Sequence, residues 1–231
     1  MSSEGEGGEV SSGLPRLPPG RHGLPRDFVT RNQRERIAAG IIATVAEHGY
    51  HEATITQIVD AAGVSRRTFY SYFETKEDCF SDTYELIVGH ISEAMIAAAN
   101  ESGKQWPETV APQLTVLLET FAANLDLVRF CFVASLSAGE GLAERFRRTM
   151  ERLLNLLTAG KPPPPATREP SEAIEQGIVG GMAALIIRTV GEGKGESLPE
   201  LTPSLVELVL VPYLGREDAA RVASQSSQSL A

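Results

Sequence analysis

The sequence predicts an all-α fold: an N-terminal three-helix head at about 30–74 with a helix-turn-helix in it, followed by a C-terminal bundle of about six helices. Three observations carry this. Apolar residues recur at spacings of three to four from Thr30 onward. Two short, capped segments flank Gly63. No alternating strand pattern of useful length and no internal repeat occurs.

Taken in order, residues 1–25 read as a disordered extension, because Gly, Ser and Pro dominate and little there could offset ordering entropy. Residues 26–75 form the head. Ile37, Ile41, Ile42 and Val45 make one apolar stripe, and Gly49 ends that helix. Thr54 is the expected N-cap of a helix bearing Ile55, Ile58, Val59 and Ala62; Ser65 caps a second, Arg66 to Tyr72; Thr75 caps a third, running to about Asn100. Residues 76–215 form the larger domain, with further helices expected near 107–124, 127–137, 140–159, 170–190 and 202–214. The four prolines at 162–165 exclude a helix there, and 191–199 reads as a loop. Residues 216–231 read as a flexible tail.

Composition narrows the function classes. The chain has 231 residues, 42% hydrophobic and 22% charged, enough for a core that needs no staples. The two cysteines, Cys79 and Cys131, follow an N-terminus with no apolar signal region, so a reducing cytoplasm is expected and a disulfide framework is not. No membrane span is expected, since the apolar run Ile178–Ile187 stops at Arg188. The net charge of −9 argues against a globally basic coat but not against a local DNA site. Arg16, Arg21, Arg26, Arg31, Arg34 and Arg36 face only Asp27 and Glu35 between residues 14 and 36. That basic stretch reads either as a soluble tail or as an arm contacting DNA.

The chemistry concentrates between Thr54 and Glu77. A helix fits the major groove, and its N-terminal side chains meet base edges first. Packing by Ile55, Ile58, Val59, Val64 and Phe69 would leave the outer face to Arg66, Arg67 and Tyr70, with Ser65 and Thr68 at its opening. Arg66 and Arg67 suit base reading; Thr54, Tyr70, Tyr72 and Lys76 suit phosphate oxygens.

The segment Ile58–Val59–Asp60–Ala61–Ala62–Gly63–Val64–Ser65, then Thr68–Phe69–Tyr70–Ser71–Tyr72–Phe73, then Lys76–Glu77, resembles the TetR family of regulators. This chain has Val59 where the family usually has Ala, and Tyr72 where it often has His. The resemblance is specific over about residues 30–80. It implies a DNA-binding transcriptional regulator, commonly a repressor, acting on a pseudo-palindromic operator as a homodimer whose last two helices pair. It also implies a pocket for an unknown small-molecule effector. Trp106, Phe121, Phe130, Phe146 and Met150 are candidates for that pocket. For the dimer, Ile174, Ile178, Gly181, Met182 and Leu185, with Leu205, Leu208 and Val209, offer apolar and small residues on the two helices.

Other classes find little support. His48 and His51 straddle Gly49 without a Cys or carboxylate cluster, so no metal and no cofactor is expected. Gly191 to Ser197 fails as a phosphate loop: Gly195 stands where Ser or Thr is needed, and Arg188 where the first Gly should be. No nucleophile elbow or paired catalytic carboxylates are seen, so an enzyme is not expected. The alternative is a DNA-binding regulator without a small ligand, gated by a protein partner or constitutive; a fully packed interior would favour it.

Overall fold

The computed structural model describes residues 26–134, 140–164 and 166–228. The N-terminal extension expected at 1–25 lies outside the described residues. The elements are α1 (Arg26–His48), α2 (Ile55–Ala62), α3 (Arg66–Tyr70), α4 (Lys76–Glu101), α5 (Val110–Ala123) and α6 (Leu125–Val128). A π-helical stretch, Arg129–Ala134, follows; then come α7 (Glu140–Leu157), α8 (Glu172–Gly191), a 3-10 stretch (Gly195–Leu201), α9 (Thr202–Leu214) and α10 (Arg216–Gln228). No strand occurs among the described residues.

Local chemistry sets the head. The Thr54 side chain accepts from the Gln57 backbone N at 3.3 Å, and Gln57 Oε1 accepts from the Thr54 backbone N at 2.9 Å. This reciprocal box satisfies two donors that a helix start leaves open. Gly63, at φ 60°, takes the left-handed conformation that closes α2. At Gly40 a Cβ would lie 2.7 Å from the Ile58 carbonyl oxygen, so the absent side chain is what lets α1 cross α2 so closely. Ile37, Ile41, Ile58 and Phe69 are fully buried between the three helices.

α4 belongs to both halves. Thr75 caps it, accepting from the Asp78 backbone N at 3.0 Å. Cys79 and Phe80 pack toward the head, while Ile87, Val88 and Met95 continue one buried stripe into the body. The core is therefore continuous from Ile37 to Val222 rather than split at residue 75.

Four expectations differ from the structure. The helix expected at 127–137 is instead α6 and a π-helical stretch, with 135–139 outside the described residues. The loop expected at 191–199 contains a 3-10 stretch that buries Leu198. The tail expected from 216 is a helix to Gln228, because Ala219, Val222 and Ala223 form a narrow stripe buried against the body, with α9 packed alongside. Finally, α8 is 20 residues long and, by length and composition, apolar enough to cross a membrane. The contiguous apolar run understated it, since the helix continues past the run at both ends, from Glu172 to Gly191. Ile178, Val179, Met182 and Ile186 enter the protein core, yet only 28% of its most apolar window is buried. It is a bundle helix with one uncovered face.

Candidate nucleic-acid interface and interior cavity

α3 is short, and its anchoring is lopsided. Phe69 is fully buried and tilts against Phe73, with ring centroids 5.6 Å apart. Everything else on the helix faces outward. Ser65, Arg66 and Arg67 are exposed, Tyr70 is 54% exposed, and Thr68 is half-buried. Ser65 Oγ accepts from the Thr68 backbone N at 3.0 Å and shares a hydrogen bond with Thr68 Oγ1 at 2.9 Å, fixing the opening of the helix. Arg66 donates to Thr56 Oγ1 and so leans toward α2. The Arg67 side chain makes no hydrogen bond or ion pair among the described residues, while its carbonyl accepts from the Ser71 backbone N at 3.1 Å.

Two side chains expected on phosphates are engaged inside the head instead. The Tyr72 hydroxyl donates to Gln33 Oε1 at 2.9 Å, tying the turn after α3 to α1. Lys76 Nζ donates to the carbonyls of Tyr50, His51 and Ala53 at 2.6, 3.3 and 2.7 Å, and sits 4.5 Å from the Tyr50 ring centroid. An ammonium has three donors and no more. Lys76 thus clamps the turn between α1 and α2 and keeps nothing for a phosphate; burial lowers its pKa, partly opposed by Glu52. The basic stretch divides as well. Arg34 pairs with Asp82 at 2.7 Å and Arg36 donates to the Gly63 carbonyl, so both brace the head. Sequence spacing could not reveal these uses, since the partners lie 23 to 48 residues away.

Behind the head, α4, α5, the π-helical stretch, α7 and α8 surround a narrow apolar cavity of about 50 Å³. Phe121, Phe146 and Met150 line it. Trp106 and Phe130 do not. Trp106 is a strut elsewhere, its Nε1 donating to the Leu157 carbonyl at 3.2 Å. Phe130 turns toward the head and stacks on Phe80 at 4.3 Å. Sequence reasoning missed Tyr84, Leu117, Cys131 and Ile186 on the cavity wall. Their stripe signal was visible but reads the same for a filled core. Burial pushes the Cys131 thiol up to about 12 and the Tyr84 hydroxyl well above its usual value.

The dimer candidates separate by burial. Ile178, Met182, Leu205 and Val209 are interior to a single chain, and Met182 lines the cavity. They cannot form an outer face, because α9 packs on α5, α8 and α10 within the protomer. A Cβ at Gly181 would lie 3.3 Å from a Leu208 methyl of the same chain. Ile174 remains outward at 48% exposure, beside the exposed Gly177 and Gly180 and the half-buried Leu185 and Leu208.

The family model of bacterial regulatory proteins, tetR family, matches residues 37–83, the stretch from the core of α1 through α3 into α4. Residues 37–83 thus carry the likeness to the tetR family. The HTH-type transcriptional regulator BetI of Serratia proteamaculans is 35% identical over 72 residues, 31% of this chain and 36% of that protein. The fatty acid metabolism regulator protein of Bacillus subtilis is 33% identical over 60 residues, covering 26% and 31%. The matched stretch thus spans about a third of these relatives. Similarity of fold reaches further. The fatty acid degradation regulator FadR of Bacillus halodurans superposes with TM-score 0.67 at 23% identity, covering 76% of this chain and 97% of that one. FadR of Bacillus subtilis, solved in complex with stearoyl-CoA, gives 0.63 at 20% identity, covering 76% and 96%.

Proposed function

We propose that this chain is a homodimeric transcriptional regulator of the TetR family, acting as a repressor, that grips a pseudo-palindromic operator through α3 and is released by an effector with a long apolar chain. The observation that carries this is the exposed polar face of α3 over a buried Phe69. The exposure of Arg66 and Arg67 supports base reading by these two; the same outer face supports phosphate contacts by Ser65, Thr68, Tyr70 and Thr54. The likeness of residues 37–83 to tetR-family regulators supports the same reading.

The uncovered face of α8, with Ile174, Gly177 and Gly180, supports a dimer built on this helix. Its small residues permit close approach of a second copy, and two-fold symmetry would present two copies of α3. The apolar cavity of about 50 Å³ would have to widen to take an effector, and its lining supports one of apolar character. Its wall offers aliphatic, aromatic and thioether groups, with only Tyr84, Ser92 and Thr149 carrying hydroxyls. Such a lining suits an alkyl chain. An effector releases DNA only through differential affinity for two geometries of the dimer.

The test is selection of bound genomic fragments by the purified protein, followed by titration of the selected operator with dodecanoyl-CoA. The reading expects a two-fold symmetric site and weaker binding as the ligand is added. Failure to retain any duplex at low salt would overturn it.

A further inference from the structure

A charged groove lies between α4 and α7, just outside the apolar cavity. Val88 and Thr149 line both, so the groove opens at the cavity wall. Its α7 side carries Arg145, Arg148 and Arg152 with Glu144; its α4 side carries Glu77 and Glu85. Positions i, i+3 and i+7 share one helix face and span about 10 Å of helix rise.

These arginines are incompletely satisfied. Arg145 Nη1 reaches Glu85 Oε1 only at 3.4 Å, bridging α7 to α4. Arg148 Nε donates to Glu144 Oε1 at 2.9 Å, but the same oxygen also accepts from Arg147 at 2.7 Å. Arg152 is exposed and its side chain makes no ion pair or hydrogen bond among the described residues. A neutral apolar effector would use none of them. A single carboxylate would meet one or two of three guanidiniums spread over that length.

We propose that this groove binds the head of the effector, and that the head is multiply phosphorylated. This rests on the reading of the neighbouring cavity as the effector site. Phosphate oxygens accept from Arg148 and Arg152 and take Arg145 from Glu85, while the alkyl chain passes Val88 and Thr149 into the cavity. Guanidinium forks match phosphate geometry, and charge-assisted bonds of this kind are the stronger ones. Loss of the Arg145–Glu85 bridge would then loosen α7 from α4, the helix that carries the head.

Binding of dodecanoyl-CoA, dodecanoate and 1-dodecanol is measured by displacement of N-phenyl-1-naphthylamine from the full chain. The double variant Arg148→Gln/Arg152→Gln is expected to weaken dodecanoyl-CoA at least tenfold and leave 1-dodecanol unchanged. Glu85→Gln is expected to tighten dodecanoyl-CoA several-fold by releasing Arg145, a gain that misfolding cannot mimic. An equal loss for dodecanoyl-CoA and 1-dodecanol overturns the head site, as does an unchanged dodecanoyl-CoA affinity in the double variant. Equal losses for dodecanoate and dodecanoyl-CoA overturn the phosphorylated head. If 1-dodecanol binds and only these arms fail, the cavity reading survives. If the wild type binds none of the three, both fall.

Discussion

Phe80 of α4 and Phe130 of the π-helical stretch stack with ring centroids 4.3 Å apart and planes 27° from parallel. Phe80 also meets Tyr50 edge-on at 5.1 Å and stacks on Tyr84 at 6.3 Å. Tyr50 lies in the turn that Lys76 clamps, and Tyr84 lines the cavity. The residues following Phe130, Cys131 and Phe132, line the cavity too. One aromatic column therefore joins the cavity wall to the turn that sets the head, and packed aromatics shift as units.

That column is testable through Phe130→Leu. The variant keeps an apolar side chain but loses the stack, and a stability loss of about 1–3 kcal/mol is expected. Operator affinity without effector should stay near that of the wild type. The effector-induced weakening, typically about 5–150-fold for an allosteric coupling, should shrink. Anisotropy titrations of operator with and without dodecanoyl-CoA measure both; an undiminished response would show that the column carries no coupling.

Arg67→Ala should cost about 1–3 kcal/mol of operator binding if the side chain reads a base. Because the guanidinium has no partner among the described residues, the protein's melting temperature should not change. Competition with operators altered one base pair at a time would show relaxed preference at one position. Uniform weakening across all sequences would reassign Arg67 to a phosphate.

The head was legible in the sequence because its determinants are local. Thr54, Ser65 and Thr75 each cap within three residues, and Gly63 marks its own turn. Inside and outside were not legible on α8 and α9. Leu205 and Leu208 are one turn apart, yet one is in the core and the other half covered. Helices apolar on most faces carry no polar side to mark the exterior, so half of the residues expected at the dimer interface proved to be core. Lys76 was misread for a different reason. Its three acceptors are main-chain carbonyls of a turn, and nothing in the identity of Tyr50, His51 or Ala53 announces them.

Lys76→Met should therefore behave as a stability variant of the head. It leaves carbonyls without their donor, at a cost of about 1–3 kcal/mol. Thermal unfolding followed by circular dichroism should show a lower midpoint, with DNA binding restored at temperatures where the head stays folded. Unchanged stability with weaker DNA binding would return Lys76 to a phosphate role.

Ile174 and Leu205 separate interface from interior. Ile174→Asp places a charge on the exposed face of α8, and sedimentation velocity should show a shift from dimer to monomer with helicity retained. Leu205→Ala removes a fully buried side chain and should cost about 2–5 kcal/mol of stability, lowering the melting temperature without selectively dissociating the dimer. A monomeric but stable Leu205→Ala would put α9 back at the interface.

Burial pushes the thiols of Cys79 and Cys131 from the usual 9.0 to about 12. The fold thus favours the neutral form of each. The sign follows from linkage: the unfolded chain releases these protons first, so the stability contributed is complete below about 9 and declines as pH rises toward about 12. Urea midpoints taken between pH 8 and pH 11 should fall, and Cys131→Ala should flatten that fall. At pH 8 the thiolate fraction at a pKa near 12 is on the order of 10⁻⁴, so iodoacetamide should label neither cysteine in the native protein and both in denaturant. Native-state labelling of Cys131 at the rate of a free thiol would mean that solvent reaches it far more often than its 6% exposure suggests.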